Sequence, residues 1–176
     1  MLIAALVEFG IVWYLSSRIY KLSLASATLW FILFSALNGL TLGWIFAVYK
    51  IAIIAKTFFV TAGTFGAMAL IGSTTKKDLT KFGGILFMAL IGLIIANLVN
   101  LFLHSSTMDY IVSIVGVLIF TGLTAWDAQA IKRNLLMAPD SGESAQKIAL
   151  LGSLSLYLDF INLFLYLLRF FGNNKN

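Results

Sequence analysis

Five polar residues on one apolar stretch near the C-terminus are where chemistry could reside. Ser155, Asp159, Asn162, Tyr166 and Arg169 are spaced 4, 3, 4 and 3 apart. Those steps return to one face of an α-helix. The residues between them are mostly Leu, Ile and Phe. A carboxylate, an amide, a phenol and a guanidinium in such a setting must meet protein partners or water. A second carboxylate, Asp127, stands on the preceding apolar stretch, three residues after Thr124. Two like charges brought together in a poorly solvated site cannot both stay ionised cheaply, so the two would titrate as one unit. With one proton shared, a short hydrogen bond ties the two segments together. With none, the carboxylates repel or recruit a cation, and they offer calcium the hard oxygen ligands it prefers. Asp127 and Asp159 are therefore the candidate pH sensor, gate and transient calcium ligands.

Other stretches repeat the pattern more weakly. Glu8 lies in the first apolar run, and Arg18, at its end, is a cation that could hold one carboxylate in a closed state. Ser35, Asn38 and Thr41 form one helical group, Thr57, Thr61 and Thr64 another, and Asn97, Asn100 and His104 a third. If these stripes converge, they enclose a polar interior suited to cations or protons. The plainer reading of the Thr and Asn groups is interhelical hydrogen bonding, worth about 0.6–2 kcal/mol a contact. His104, at a span end, reads as a solvated histidine, and Arg169 as a side chain snorkelling to the interface. Glycines 39, 43, 63, 66, 83, 84, 92, 116 and 122 read as close-packing positions. Trp13, Trp30 and Trp44 fit interfacial belts or packing, and Trp126 stands where it could shield Asp127.

The elements that must position these residues follow from composition. The 176 residues are 61% hydrophobic and 11% charged, with one Pro and no Cys. Soluble domains carry roughly 25% charged residues, and a soluble fold of this size leaves roughly a third of its chain surface in water. A soluble domain, a disordered chain and a disulfide scaffold are excluded. The sequence predicts an all-α, polytopic transmembrane helix bundle, folded as a single domain over 1–176. Six spans are expected, at about 1–17, 24–49, 51–73, 82–104, 109–131 and 148–171. The runs lack the period-two alternation of a membrane barrel. The longest polar connection, Lys132 to Lys147, holds Pro139, Asp140, Ser141 and Gly142, which is turn chemistry. Residues Glu143–Lys147 are suited to begin the last helix outside the bilayer.

Arg18, Lys21, Lys76, Lys77, Lys81, Lys132, Arg133 and Lys147 fall on one side of the spans; Lys50, Lys56, Arg169 and Lys175 fall on the other. The richer side is expected to face the cytoplasm, and the net charge of +5 reads as topology signal, not as a nucleic-acid patch. That orientation puts Met1 at the outer edge of a span. A further helix upstream, lost by truncation or a misplaced start, would restore a cytoplasmic beginning. Depth poses a question for the two aspartates. Asp127 lies about five residues before Lys132, roughly 7 Å in, and Asp159 about 12 residues after Lys147, roughly 18 Å. The depths match only if residues 144–150 run outside the membrane or a helix tilts.

Three segments resemble the bacterial branch of the transmembrane Bax inhibitor motif family. They are LSLYLDFINLFLYLLRFFG, which is similar to the family's closing helix, FTGLTAWDAQAIKR, similar to its penultimate helix, and KTFFVTAGTFGAMALIGSTTKKDL, similar to a middle span and its basic loop. The resemblance implies seven helices, six of them around a central closing helix, with the first helix missing here. It implies a pH-sensitive calcium leak gated by an aspartate pair matching Asp127 and Asp159, a glutamate matching Glu8, and a gate arginine near Arg18. Ser155, Asn162, Tyr166 and Arg169 are the expected pathway partners. It also implies links to suppression of cell death and to modulation of a membrane protease, and a bacterial inner-membrane location.

Two functional classes follow. One is a calcium or cation leak that needs no cofactor, with calcium as permeant ion. The other is a regulator binding a membrane protease or a cell-death partner through a surface such as the Lys76–Lys81 loop. An enzyme is not expected. One His and no Cys argue against a metal hydrolase, and no GxSxG elbow is present. Asp159 follows Leu158 and Asp127 follows Trp126, which is not the glycine–aspartate signature of an intramembrane aspartyl protease. The last helix has no lysine to bear a retinal.

Overall fold

The computed structural model describes residues 2–173, with side chains described for 7–172; Met1 and Lys175 lie outside. The described chain is helical throughout: α1 (Leu2–Arg18), α2 (Leu24–Leu42), α3 (Ile45–Val48), α4 (Ile51–Thr74), α5 (Thr80–Leu103), α6 (Ser106–Leu136) and α7 (Glu143–Asn173). Starts and stops carry local reasons. The Ser23 hydroxyl accepts from the Ser26 amide (3.2 Å) and the Ser105 hydroxyl from the Met108 amide (3.3 Å), capping α2 and α6. His104 ends α5 in the left-handed region at φ 49°. Between α2 and α3 the Gly43 amide bonds the Leu40 carbonyl at 3.1 Å, a tightened i→i−3 turn inside one apolar rod. That rod, Leu24–Val48, and α4, α5, α6 and α7 are each long and apolar enough to cross a membrane. The expected first span falls on α1, which at 17 residues is shorter than the five helices long and apolar enough to cross. α6 and α7 run to 31 residues each, beyond the expected spans at their ends.

Three apolar clusters hold the bundle, and among the described residues α7 alone supplies buried side chains to all of them. Leu163 and Leu167 pack with Leu93 of α5 and with Ile119, Phe120 and Leu123 of α6. Leu154 packs with Ile11, Leu15 and Ile19 of α1 and with Phe34 of α2. Phe164 and Leu168 pack with Ile45 and Ile54. The closing helix is therefore central, as expected. Large apolar side chains elsewhere point outward: Phe59 and Phe102 are 74% and 82% exposed, the reverse of a soluble surface and right for acyl chains.

Glycine packing departs from expectation. At Gly39, Gly63, Gly66, Gly84 and Gly92 a side chain would meet open space, because these positions face out of the bundle. Gly83, Gly116 and Gly122 do sit at contacts, against Trp126, Tyr166 and Leu86. The closest approach, Gly72 of α4 against the Ala125 backbone of α6, was not among the expected positions.

The basic ends of α4, α5 and α6 are clasped together. The Leu79 amide donates to Gln129 Oε1 (2.8 Å), and Gln129 Nε2 donates to the Lys77 carbonyl (2.8 Å). Arg133 donates to the Thr80 hydroxyl at 2.8 Å and lies 3.8 Å from Asp78. The Thr80 hydroxyl and amide both donate to Asp78, and they hold its carboxyl below the usual carboxylate range, with Arg133 adding less. A carboxylate depressed by folding favours the folded loop above its unfolded value of 3.8, and the effect is lost as pH falls through the still lower folded value. Hydrogen-exchange protection of the Thr80 amide is accordingly expected to hold from neutral pH down to about pH 4 and to fall below it.

Candidate functional site

Asp127 and Asp159 line the same cavity. α6 and α7 pack antiparallel, and both carboxyls are on the wall of a space of about 640 Å³. Their register answers the depth question. Gly152 of α7 packs on Ile131 of α6 and Tyr166 on Gly116, so residues before 152 run beside the end of α6 past Lys132. That antiparallel register sets Asp159 opposite Thr124, within about one turn of Asp127. Asp159 is 5% exposed, and its Oδ2 has no hydrogen-bond donor. Its neighbour Asp127 is another acceptor, so a hydrogen bond between the two needs a proton on one of them.

The cavity runs from Tyr20, Asn134 and Ile148 at the basic end, past Ser155 and the two aspartates, to Asn162 and Tyr166. Along α7 that is 18 residues, roughly 27 Å. Ser155, Asn162 and Tyr166 therefore line it, as their helical spacing predicted. Trp126 lines it too, with its Nε1 buried and unpartnered. The Asn162 amide donates back to the Leu158 carbonyl (2.8 Å), which leaves its Oδ1 as the group's free acceptor. Among the described residues no three His, Cys, Asp or Glu side chains cluster as for a resident metal. Two carboxylates with Ser and Asn oxygens nearby make a weak calcium donor set, short of the six to eight oxygens of a tight site.

Arg169 lies beyond the cavity, in a separate outer cluster. It donates to Asn97 Oδ1 (3.0 Å) and lies 3.8 Å from Asp109. Asn97 donates to the Tyr166 hydroxyl (2.9 Å), and Asn100 donates to Asp109 (2.8 Å). Tyr166 thus belongs to both places, its ring in the cavity wall and its hydroxyl in the cluster. Arg169 is held by these partners, where snorkelling was the plainer expectation. Asp109 was not singled out in the sequence, because a carboxylate at a helix start is ordinarily dipole chemistry. His104 lines the small cavity beside this cluster and is exposed.

Glu8 belongs to a third cluster. It is 8% exposed and accepts from Asn38 Nδ2 (2.9 Å) and from the Thr41 hydroxyl. The Tyr157 hydroxyl donates to Asn38 Oδ1 (2.9 Å), which ties α1 and α2 to α7. Tyr157 was missed because it sits on the apolar face of α7; a phenol in mid-span, which needs a partner, was the available signal. Asn38→Ala would leave Glu8 with the Thr41 hydroxyl alone and remove the acceptor of the Tyr157 hydroxyl. It is expected to cost about 2 kcal/mol, read as a lower melting temperature of the purified protein.

The polar stripes therefore form three clusters around α7 and not one interior. The Thr57 group joins none: Thr61 donates to the Thr57 carbonyl of its own helix (2.7 Å), and the Thr57 hydroxyl is buried without a partner. Arg18 is exposed, outside the cavity lining, and makes no ion pair among the described residues; those formed are Arg133–Asp78, Lys147–Glu143 and Arg169–Asp109.

The family described as inhibitor of apoptosis-promoting Bax1 matches residues 1–176. The chain belongs to the Bax inhibitor family. Its similarity to curated members is high. It is 52% identical over 170 residues to the inner membrane protein YbhL of Escherichia coli K12, covering 96% of this chain and 72% of YbhL. It is 51% identical over 171 residues to an uncharacterized Borreliella burgdorferi protein, covering 97% and 74%. An uncharacterized Rickettsia prowazekii protein is 44% identical over 167 residues, covering 95% and 70%. With its five long apolar helices, this Bax inhibitor family chain is a multi-pass membrane protein.

Proposed function

We propose that this chain is a pH-sensitive cation leak with calcium as its favoured substrate, acting by transport and not by catalysis. The observation that supports the reading is the placement of two carboxyls, from α6 and α7, in the lining of one cavity, with Asp159 Oδ2 lacking a donor. A proton shared between them fastens the two longest helices. Its loss leaves two anions that separate or admit a cation. Ser155 and Asn162 supply further oxygens along the same wall, and the Tyr166–Asn97–Arg169 cluster stands at its far end. The cavity mouth at Tyr20 and Asn134 lies among the Lys and Arg residues assigned to the cytoplasm, and an inner-membrane location follows from the name of the relative YbhL.

The deciding experiment is calcium flux into dye-loaded liposomes, stepped from neutral to acid pH, for the wild type and Asp159→Asn. A pH response that the substitution removes supports the reading; a flux that ignores the substitution ends it. The family's description as an inhibitor favours a second reading, a regulator that binds a membrane protease or cell-death partner. Folded, inserted protein that passes no calcium at any pH would select that one.

A further inference from the structure

Away from the aspartate cavity, on the face made by α4, α6 and α7, two other cavities adjoin. One is an apolar groove of about 470 Å³, walled by Ala69 and Leu70 of α4, Ala128 and Ile131 of α6, and Leu156 of α7. The other, about 330 Å³, has Thr75, Gln129 and Arg133 among its lining side chains. Ser73, Lys132 and Leu136 line both, so the two are continuous, and Lys132 marks the point where apolar gives way to polar.

The charge at that point is unbalanced. Lys132 Nζ donates to the Ser73 carbonyl (2.8 Å) and makes no ion pair among the described residues. Two of its three donors remain. Residues 76–81 and 132–133 bring five cations to this end with one carboxylate, Asp78, which is committed to Thr80 and Arg133. The groove below opens to the bilayer-facing surface, where Leu70 and Leu136 are 66% and 78% exposed.

We propose that this is a binding site for an anionic phospholipid of the adjoining leaflet. Its phosphate lies against Lys132, Arg133 and the Thr75 hydroxyl, and an acyl chain lies along the Ala69–Leu156 groove. Basic pockets between transmembrane helices at the cytoplasmic surface select anionic headgroups in this way. A soluble phosphate would use the Thr75, Lys132 and Arg133 groups alone. The apolar groove joined to them is what selects a lipid.

The test is native mass spectrometry of the detergent-solubilised full chain, titrated with phosphatidylglycerol, with phosphatidylcholine and with glycerol 3-phosphate. Phosphatidylglycerol is expected to bind at least about fivefold tighter than phosphatidylcholine, with Lys132→Gln removing about fivefold of its affinity. Ala69→Leu, which fills the groove, is expected to weaken both lipids. Should Lys132→Gln not fold, Arg133→Gln and the wild-type lipid preference still decide. Equal retention of the two lipids overturns the proposal. So does a preference untouched by either charge substitution, or displacement of the lipid by equimolar glycerol 3-phosphate.

Discussion

Asp159→Asn is expected to flatten the pH response of calcium flux. In the proposed gate a single linked proton shifts the balance of two states by up to tenfold per pH unit across its titration range. The wild type should therefore change its flux by about that factor. An asparagine at 159 carries a permanent donor, which can face the Asp127 carboxylate at any pH and stand in for the shared proton. The variant should vary by less than about twofold over the same range. Asp127→Asn places the amide on the other helix and should give the same flattening, since the proton belongs to both carboxyls and not to either. A variant pair in which only one substitution flattens the response would argue against a shared proton. Arg169→Gln, outside the cavity, should leave the pH dependence in place even if it alters the absolute flux. These outcomes are read from initial rates in liposomes, after circular dichroism has shown that each variant is helical.

Gly72→Ala is expected to be the most damaging small substitution in the chain. At this point α4 crosses α6 with backbone against backbone, and an added Cβ would run into the Ala125 carbonyl. Side chains can change rotamer to relieve a clash, but two hydrogen-bonded helices must move apart. Overpacking of this kind costs about 3 kcal/mol. The cost should appear as an earlier midpoint in sodium dodecyl sulfate titration, monitored by helicity. Gly63→Ala, on the same helix with open space around the position, is the control and should leave the midpoint unchanged or slightly raised. Because Ala125 stands two residues before Asp127, the displacement should also disturb the flux that the aspartates are proposed to gate.

Much of the candidate site was legible in the sequence because helical periodicity is local. The 4-3-4-3 spacing from Ser155 to Arg169 puts those residues on one face of α7 whatever surrounds it, and four of the five line a common cavity. Spacing could not divide the stripe, however. Arg169 belongs to the outer cluster because Asn97 and Asp109, 72 and 60 positions away in the chain, stand opposite it. Glu8 likewise gained its meaning from Asn38 and Tyr157, on two other helices.

Composition and spacing were enough to show a bundle of membrane helices with Asp127 and Asp159 in its last two spans. Those conclusions rest on hydropathy, helical period and the cost of polar groups in hydrocarbon, all of which act within a segment. That the two carboxyls line one cavity came from the packing of the helices. The agreement of their depths depends on the register of α6 against α7, and that register is set by Gly152 on Ile131 and Gly116 beneath Tyr166. Such contacts are matters of shape between helices, and in a membrane, where lipid is as apolar as leucine, shape rather than hydrophobicity chooses which helix faces meet.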